Sequence, residues 1–148
     1  MKKILNLTVF GLLTLILVIV FTQPASAKWF AVAAISGHQT KEDVPTKSVY
    51  IIPADAPEFY CAWMILGTKS GDKISGTLIA EDVGKVAPPN YEVMTAVYDV
   101  PKGKSNNAWG HFNFTKPTNG WPVGYYRVVI RNNGVLVAGA MFEVIKPQ

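Results

Sequence analysis

The stretch from Gly120 to Val144, G-W-P-V-G-Y-Y-R-V-V-I-R-N-N-G-V-L-V-A-G-A-M-F-E-V, decides the fold. Alternation predicts two β-strands within it. Tyr126, Val128 and Ile130 fall on one face of the first strand, and Tyr125, Arg127, Val129 and Arg131 on the other. A side-chain period of two is what a half-buried strand requires. Asn133-Gly134 follows, the pair that best tolerates positive φ at both central positions of a type I′ turn. The return strand carries Leu136, Ala138, Ala140, Phe142 and Val144 on one face. Its other face, Val135, Val137, Gly139, Met141 and Glu143, is mixed.

The entry to this hairpin carries a family resemblance. Gly120-Trp121-Pro122 is a turn signal, and Gly124 stands two residues before Tyr126. The arrangement resembles the end of an immunoglobulin-type sandwich, in which Gly-x-Tyr-x-Cys opens the strand before last and the Tyr hydroxyl ties down the corner. Two departures are plain: Pro122 replaces an Asp of antibody domains, and Val128 replaces their second Cys. The whole run, with its Asn-Gly turn and Phe-x-Val ending, is more closely similar to the last hairpin of uncharacterised immunoglobulin-like domains in secreted bacterial proteins. An earlier run, Pro53 through Glu58-Phe59-Tyr60-Cys61-Ala62-Trp63, and a Gly71-Asp72 turn occur in the order that resemblance implies. It implies a structural corner built from Gly120, Trp121, Pro122, Gly124 and Tyr126. It implies a fold and a compartment, and no reaction.

Working outward, the rest of the chain reads as further strands. Trp29–Ile35 is apolar and extended, or a short helix, stopped by Ser36-Gly37. Residues 36–47 form a polar loop, Ser48–Ile52 a short strand, and Pro53–Pro57 a turn. Glu58–Leu66 is apolar on both faces, as a central sandwich strand is. Lys73–Glu81 alternates, with Ile74, Gly76, Leu78 and Ala80 opposed to Lys73, Ser75, Thr77, Ile79 and Glu81. Asp82–Asn90, with its two prolines, is a loop, and Tyr91–Val100 a strand. Lys102–Asn107 is the most flexible-looking stretch, and His111–Thr115 alternates again. The expected fold is therefore all-β: an immunoglobulin-like antiparallel sandwich of about seven to nine strands.

Ahead of it, Met1-Lys2-Lys3, the uncharged apolar run Ile4–Phe21 and the small residues Ala25-Ser26-Ala27 form the pattern of a secretory signal helix. We expect residues 1–27 to be a signal peptide cleaved after Ala27, and residues 28–148 to be one domain. An uncleaved membrane anchor is the alternative, since the run approaches the ~18 residues that span a bilayer. The expected location is secreted or periplasmic, with membrane contact only through this segment if it is kept. Removing it takes away two lysines and no acid, so the formal charge falls from +4 to +2. The positive groups form no stripe, and nucleic acid is not an expected partner.

Catalytic groups are sparse. Cys61, the one cysteine, sits in an apolar run and reads as a core thiol where such domains hold half of a disulfide. His38 and His111 are the only histidines, and a metal site with Glu42 or Asp43 would need a tertiary coincidence. Glu81-Asp82 and Glu42-Asp43 are neighbours in sequence, which suits a two-carboxylate site poorly. No cofactor, metal site or catalytic residue is expected. Aromatics are the better lead. Trp109 and Trp121 stand beside predicted loops, with Asn106, Asn107 and Asn119 nearby. An exposed Trp with neighbouring amides suits a protein or glycan partner, although Gly-Trp-Pro at 120–122 reads first as a corner. The expected function is a non-catalytic exported module for binding or envelope assembly. Its candidate contact residues are Lys102, Lys104, Asn106, Asn107 and Trp109, or an open sheet edge. The alternative is a hydrolase inhibitor acting through the Lys102–Asn107 loop. An enzyme using Cys61 or the two histidines is the third reading.

Overall fold

The computed structural model describes residues 30–37, 48–103 and 106–147. The signal segment 1–27, the cleavage site after Ala27, His38, Glu42, Asp43 and Lys104 lie outside the described residues. Within them the chain forms eight strands: β1 Phe30–Ser36, β2 Ile51–Pro53, β3 Glu58–Thr68, β4 Lys73–Asp82, β5 Tyr91–Asp99, β6 Asn106–Thr115, β7 Gly124–Asn132 and β8 Val135–Ile145. They make two sheets, one of three strands in the order β1-β3-β6 and one of five in the order β2-β8-β7-β4-β5. The two N-terminal strands join different sheets. β1 pairs antiparallel with β3, and β2 crosses to pair parallel with β8. β3 and β6 complete the smaller sheet, and β8-β7-β4-β5 the larger one.

The alternation in the sequence sets which faces meet. Ile74, Leu78 and Ala80 of β4 and Tyr126, Val128 and Ile130 of β7 point inward and are buried. From the other sheet come Ile35, Phe59, Cys61, Trp63, Ile65, Phe112 and Phe114. Phe59 is the hub of this core. Its ring centroid lies 5.2 Å from Phe114, 5.2 Å from Trp121 and 4.8 Å from Phe142. Burying one such ring stabilises the fold by roughly 2–3 kcal/mol. Gly76 admits no side chain, because a Cβ there would sit 2.3 Å from Cδ2 of Phe112. The phenyl ring fills that space instead.

Cys61 and Val128 are both fully buried in this core. Burial pushes the Cys61 thiol up to about 12, so it stays protonated at neutral pH and is a poor nucleophile.

The β7–β8 hairpin closes through Asn133 (φ 50°) and Gly134 (φ 82°), the double positive φ of a type I′ turn. One expected face is broken. A register shift after Ile130 pairs Arg131 with Leu136, so Leu136 leaves the inward set and lies exposed. A bulge inserts one residue and reverses the alternation beyond it. Pro53, expected in a turn, forms the last residue of β2 at the sheet edge, where a missing N–H costs no ladder bond.

Candidate functional site

The structure redistributes the residues that sequence reasoning grouped around residues 102–109. Lys102 is exposed in the turn after β5. Asn106 and Asn107 are not loop residues: they begin β6, opposite Thr68 and Leu66. Trp109 is not beside a loop but inside the strand, opposite Met64. Strand β6 thus starts five residues before the expected His111. Two features disguise the strand. Asn106 enters it with φ 88°, and Gly110 sits in its middle. Gly110 is there because the Trp63 ring lies over it, with Cζ2 3.2 Å from where a Cβ would be.

The register then defines a surface. Partners across an antiparallel ladder share a face. Val32, Met64 and Trp109 form one outward row, and Phe30, Leu66 and Asn107 the next. Trp109 is 56% exposed, Phe30 58% and Val32 44%, while Met64 and Leu66 are half-buried between them. These are large apolar groups on the solvent side of a three-stranded sheet, where polar residues are the norm. The other end of the same face is polar. Glu58 accepts hydrogen bonds from the Tyr60 hydroxyl and, at 2.9 Å, from Nδ2 of Asn113. The Tyr60 bond first, and then Asn113, hold the Glu58 carboxyl below its ordinary range. His111 stands edge-on to Tyr60 at 5.5 Å.

Strand β6 is also an edge of its sheet among the described residues. Its ten residues, N-N-A-W-G-H-F-N-F-T, include no charge and no proline. The edges of the five-stranded sheet differ. β2 is three residues long and ends in Pro53, and β5 carries Glu92 and Asp99 and a bulge. Such devices discourage strand addition, and β6 has only an irregularity at its first residue, where the register with β3 shifts between Leu66 and Thr68.

The corner residues have a different environment. Tyr126 donates its hydroxyl proton to the carbonyl of Pro122 at 2.7 Å. Trp121 is 3% exposed, and its Nε1–H donates to the carbonyl of Ala56 at 3.0 Å. Gly124 (φ 148°) passes so close to β4 that a Cβ would meet the Asp82 carbonyl oxygen at 2.1 Å. Gly120 (φ 80°) donates its N–H to Pro117 at 2.9 Å and completes the turn.

Among the described residues, the groups named for a catalytic reading lie apart. Cys61 pairs with Phe112 and faces the core, whereas His111 pairs with Ala62 on the outer face, so the sheet separates thiol from imidazole. Glu81 forms an ion pair with Arg127. Among the described residues no three His, Cys, Asp or Glu side chains converge. Sequence reasoning found Trp109 and missed Phe30, Val32, Met64 and Leu66 as its companions. The signal was present in Phe30-Ala31-Val32-Ala33, where the bulky residues alternate with alanines. Which face looks outward depends on the pairing with β3.

No family model matches the chain, and no curated protein matches it. Solved structures do. An immunoglobulin-like protein from Pseudomonas aeruginosa aligns over 82% of this chain and 100% of its own, with 17% identity and a TM-score of 0.52. Two weaker likenesses are to parts of larger enzymes. An alkylpurine DNA glycosylase from Pseudomonas fluorescens aligns over 82% of this chain and 31% of its own, with 13% identity and a TM-score of 0.47. A beta-glucosidase from Listeria innocua aligns over 79% of this chain and 16% of its own, with 10% identity and a TM-score of 0.47. This chain therefore spans under a third of either enzyme. The Pseudomonas aeruginosa likeness, together with the strand order, gives the fold: the chain is an immunoglobulin-like β-sandwich.

Proposed function

We propose that the chain is an exported, non-catalytic immunoglobulin-like module that binds a protein partner through the outer face of its three-stranded sheet. The observation that carries this reading is Trp109, 56% exposed in the row Val32–Met64–Trp109 beside exposed Phe30. A large aromatic side chain in a clustered apolar surface is the usual anchor of a protein interface. Its neighbours across the ladder are aliphatic, whereas a sugar would call for a set of hydrogen-bonding groups around the ring. The unprotected edge of β6 beside this face fits the same use, since a partner strand can add there. The signal pattern in residues 1–27 supports the exported part of this reading, with the module in the periplasm or outside the cell. The inhibitor alternative loses Asn106 and Asn107 as loop residues, because they belong to β6.

The test is a pull-down from envelope extract with residues 28–148, run beside Trp109→Ala and beside a variant with residues 102–105 replaced by Gly and Ser. Loss of a captured partner with Trp109→Ala alone supports the face. Loss only with the loop variant transfers the function to the loop and to the inhibitor reading. A partner held equally by all three sinks both.

A further inference from the structure

The two sheets are unequal, and the inequality leaves a cleft. Strand β5 is the fifth strand of its sheet, but β6 ends the opposing one. The β4 residues that face the core are buried, whereas Val93, Met94, Ala96 and Tyr98 of β5 pack against it only partly buried. At the corner end the sheet also loosens. β4 has a register shift against β5 after Leu78 and another against β7 after Ala80. Between the β4–β5 loop and the β6–β7 connection lies a cleft of about 400 Å³.

Its walls have a consistent chemistry. Three prolines, Pro88, Pro117 and Pro122, and three aromatic residues, Tyr91, Trp121 and Tyr126, line it, and among the described residues no charged side chain does. The polar atoms of its aromatic floor are committed elsewhere: the Tyr126 hydroxyl to Pro122, and the Trp121 Nε1–H to Ala56. Asn119, exposed at the rim, is the one amide side chain in the lining. Val86 and Tyr91 at the mouth are themselves 70% and 51% exposed.

We infer that this cleft is a binding site for a small uncharged apolar molecule: a ring or short aliphatic body with few hydrogen-bonding groups, directed at Asn119 or the Tyr91 hydroxyl at the mouth. The volume lies in the range of ligand pockets, roughly 300–1,000 Å³. A charged ligand would lose its hydration and find no partner. A sugar would leave most of its hydroxyls unsatisfied against proline and aromatic walls. The site is separate from the Trp109 face and stands or falls independently of it.

The experiment is an NMR titration of the full domain with benzyl alcohol, and with benzoate at neutral pH as its charged counterpart. Saturable shifts at Val86, Ala87, Tyr91 and the Trp121 indole N–H are expected with benzyl alcohol. Benzoate should bind weaker by about ten-fold or more, the effect of an unpartnered carboxylate. Ala87→Trp, which fills the cleft, should abolish the shifts. Val86→Asp, at an exposed position that leaves the fold intact, should weaken benzyl alcohol binding several-fold, and it keeps the test decisive if Ala87→Trp misfolds. Absence of saturation at these residues, equal binding of benzoate, or saturable shifts confined to the Trp109 face would overturn the proposal.

Discussion

Two tryptophans of this chain have similar local sequence and opposite fates. Trp121 in G-W-P is 3% exposed, hydrogen-bonded, and packed on Phe59. Trp109 in A-W-G is 56% exposed and stands on the outside of the neighbouring sheet. The difference lies in what lies around them. At the corner, Pro122 and two positive-φ glycines turn the chain so that the indole enters the end of the sandwich. In β6 the period of two assigns Ala108 and Phe112 to the core, and Trp109 must then face outward. A tryptophan buried at the corner and hydrogen-bonded to the Ala56 carbonyl is an architectural part. One held outward by its strand, among other apolar groups, is available to a partner.

The sharpest way to break this comparison is to remove each indole in turn. Trp121→Ala should cost about 3–5 kcal/mol, the usual loss for a large aromatic deleted from a core, with a further contribution from the Ala56 carbonyl it leaves unpaired. Urea unfolding measures it. A cost below 1 kcal/mol would mean that the corner carries no structural load.

Gly124→Ala follows, at roughly 2–4 kcal/mol. The added Cβ would meet backbone, the Asp82 carbonyl at 2.1 Å, and backbone cannot rotate away as a side chain does. The φ of 148° adds strain for any L side chain. Unchanged denaturant midpoints would show that β7 can move off β4 here, and that the close approach is incidental.

Tyr126→Phe is smaller and has a pH signature. At neutral pH, loss of the bond to Pro122 should cost about 1 kcal/mol. Burial pushes the Tyr126 hydroxyl up to about 12, from an ordinary value of 10.0. A raised folded value gives stability that is complete below pH 10 and lost as pH rises toward 12. In that window the unfolded tyrosine ionises and the folded one does not. The advantage of the parent over Tyr126→Phe should therefore shrink between pH 10 and 12. A difference that stays constant across the window would place the hydroxyl in water.

The contrast between the two regions also accounts for what was legible in advance. The corner was readable because its signals are local. Glycine, proline and tyrosine at fixed offsets have the same conformational meaning in most folds, and Asn133-Gly134 is a turn wherever strands flank it. The Trp109 face was not, because its signals are pairwise. Asn106-Asn107 has the composition of a loop and becomes strand by pairing with Thr68 and Leu66. Gly110 breaks the pattern of β6 to make room for Trp63, which lies far away in sequence. Leu136 turns outward through a bulge that only its pairing with Arg131 reveals. The parallel crossing of β2 to β8 left no mark in the alternation of either strand. Periodicity shows that a strand has two faces; the choice of the inward one is made by its neighbours.

The smallest expected effect on stability is the most informative about function. Trp109→Ala should change the unfolding free energy by no more than about 0.5 kcal/mol, as is usual for exposed positions. Trp109 stands opposite the half-buried Met64 across the ladder, and β6 keeps its backbone pairing without the indole. A residue that contributes so little to folding, and that exposes so much apolar area, has a cost in solubility with no structural return. That imbalance, if measured, would support the proposed binding role of Trp109. If Trp109→Ala instead destabilised the domain by as much as Trp121→Ala, the two tryptophans would belong to one class. The outer face would then be a second packing surface of the fold, and the case for a partner there would fail.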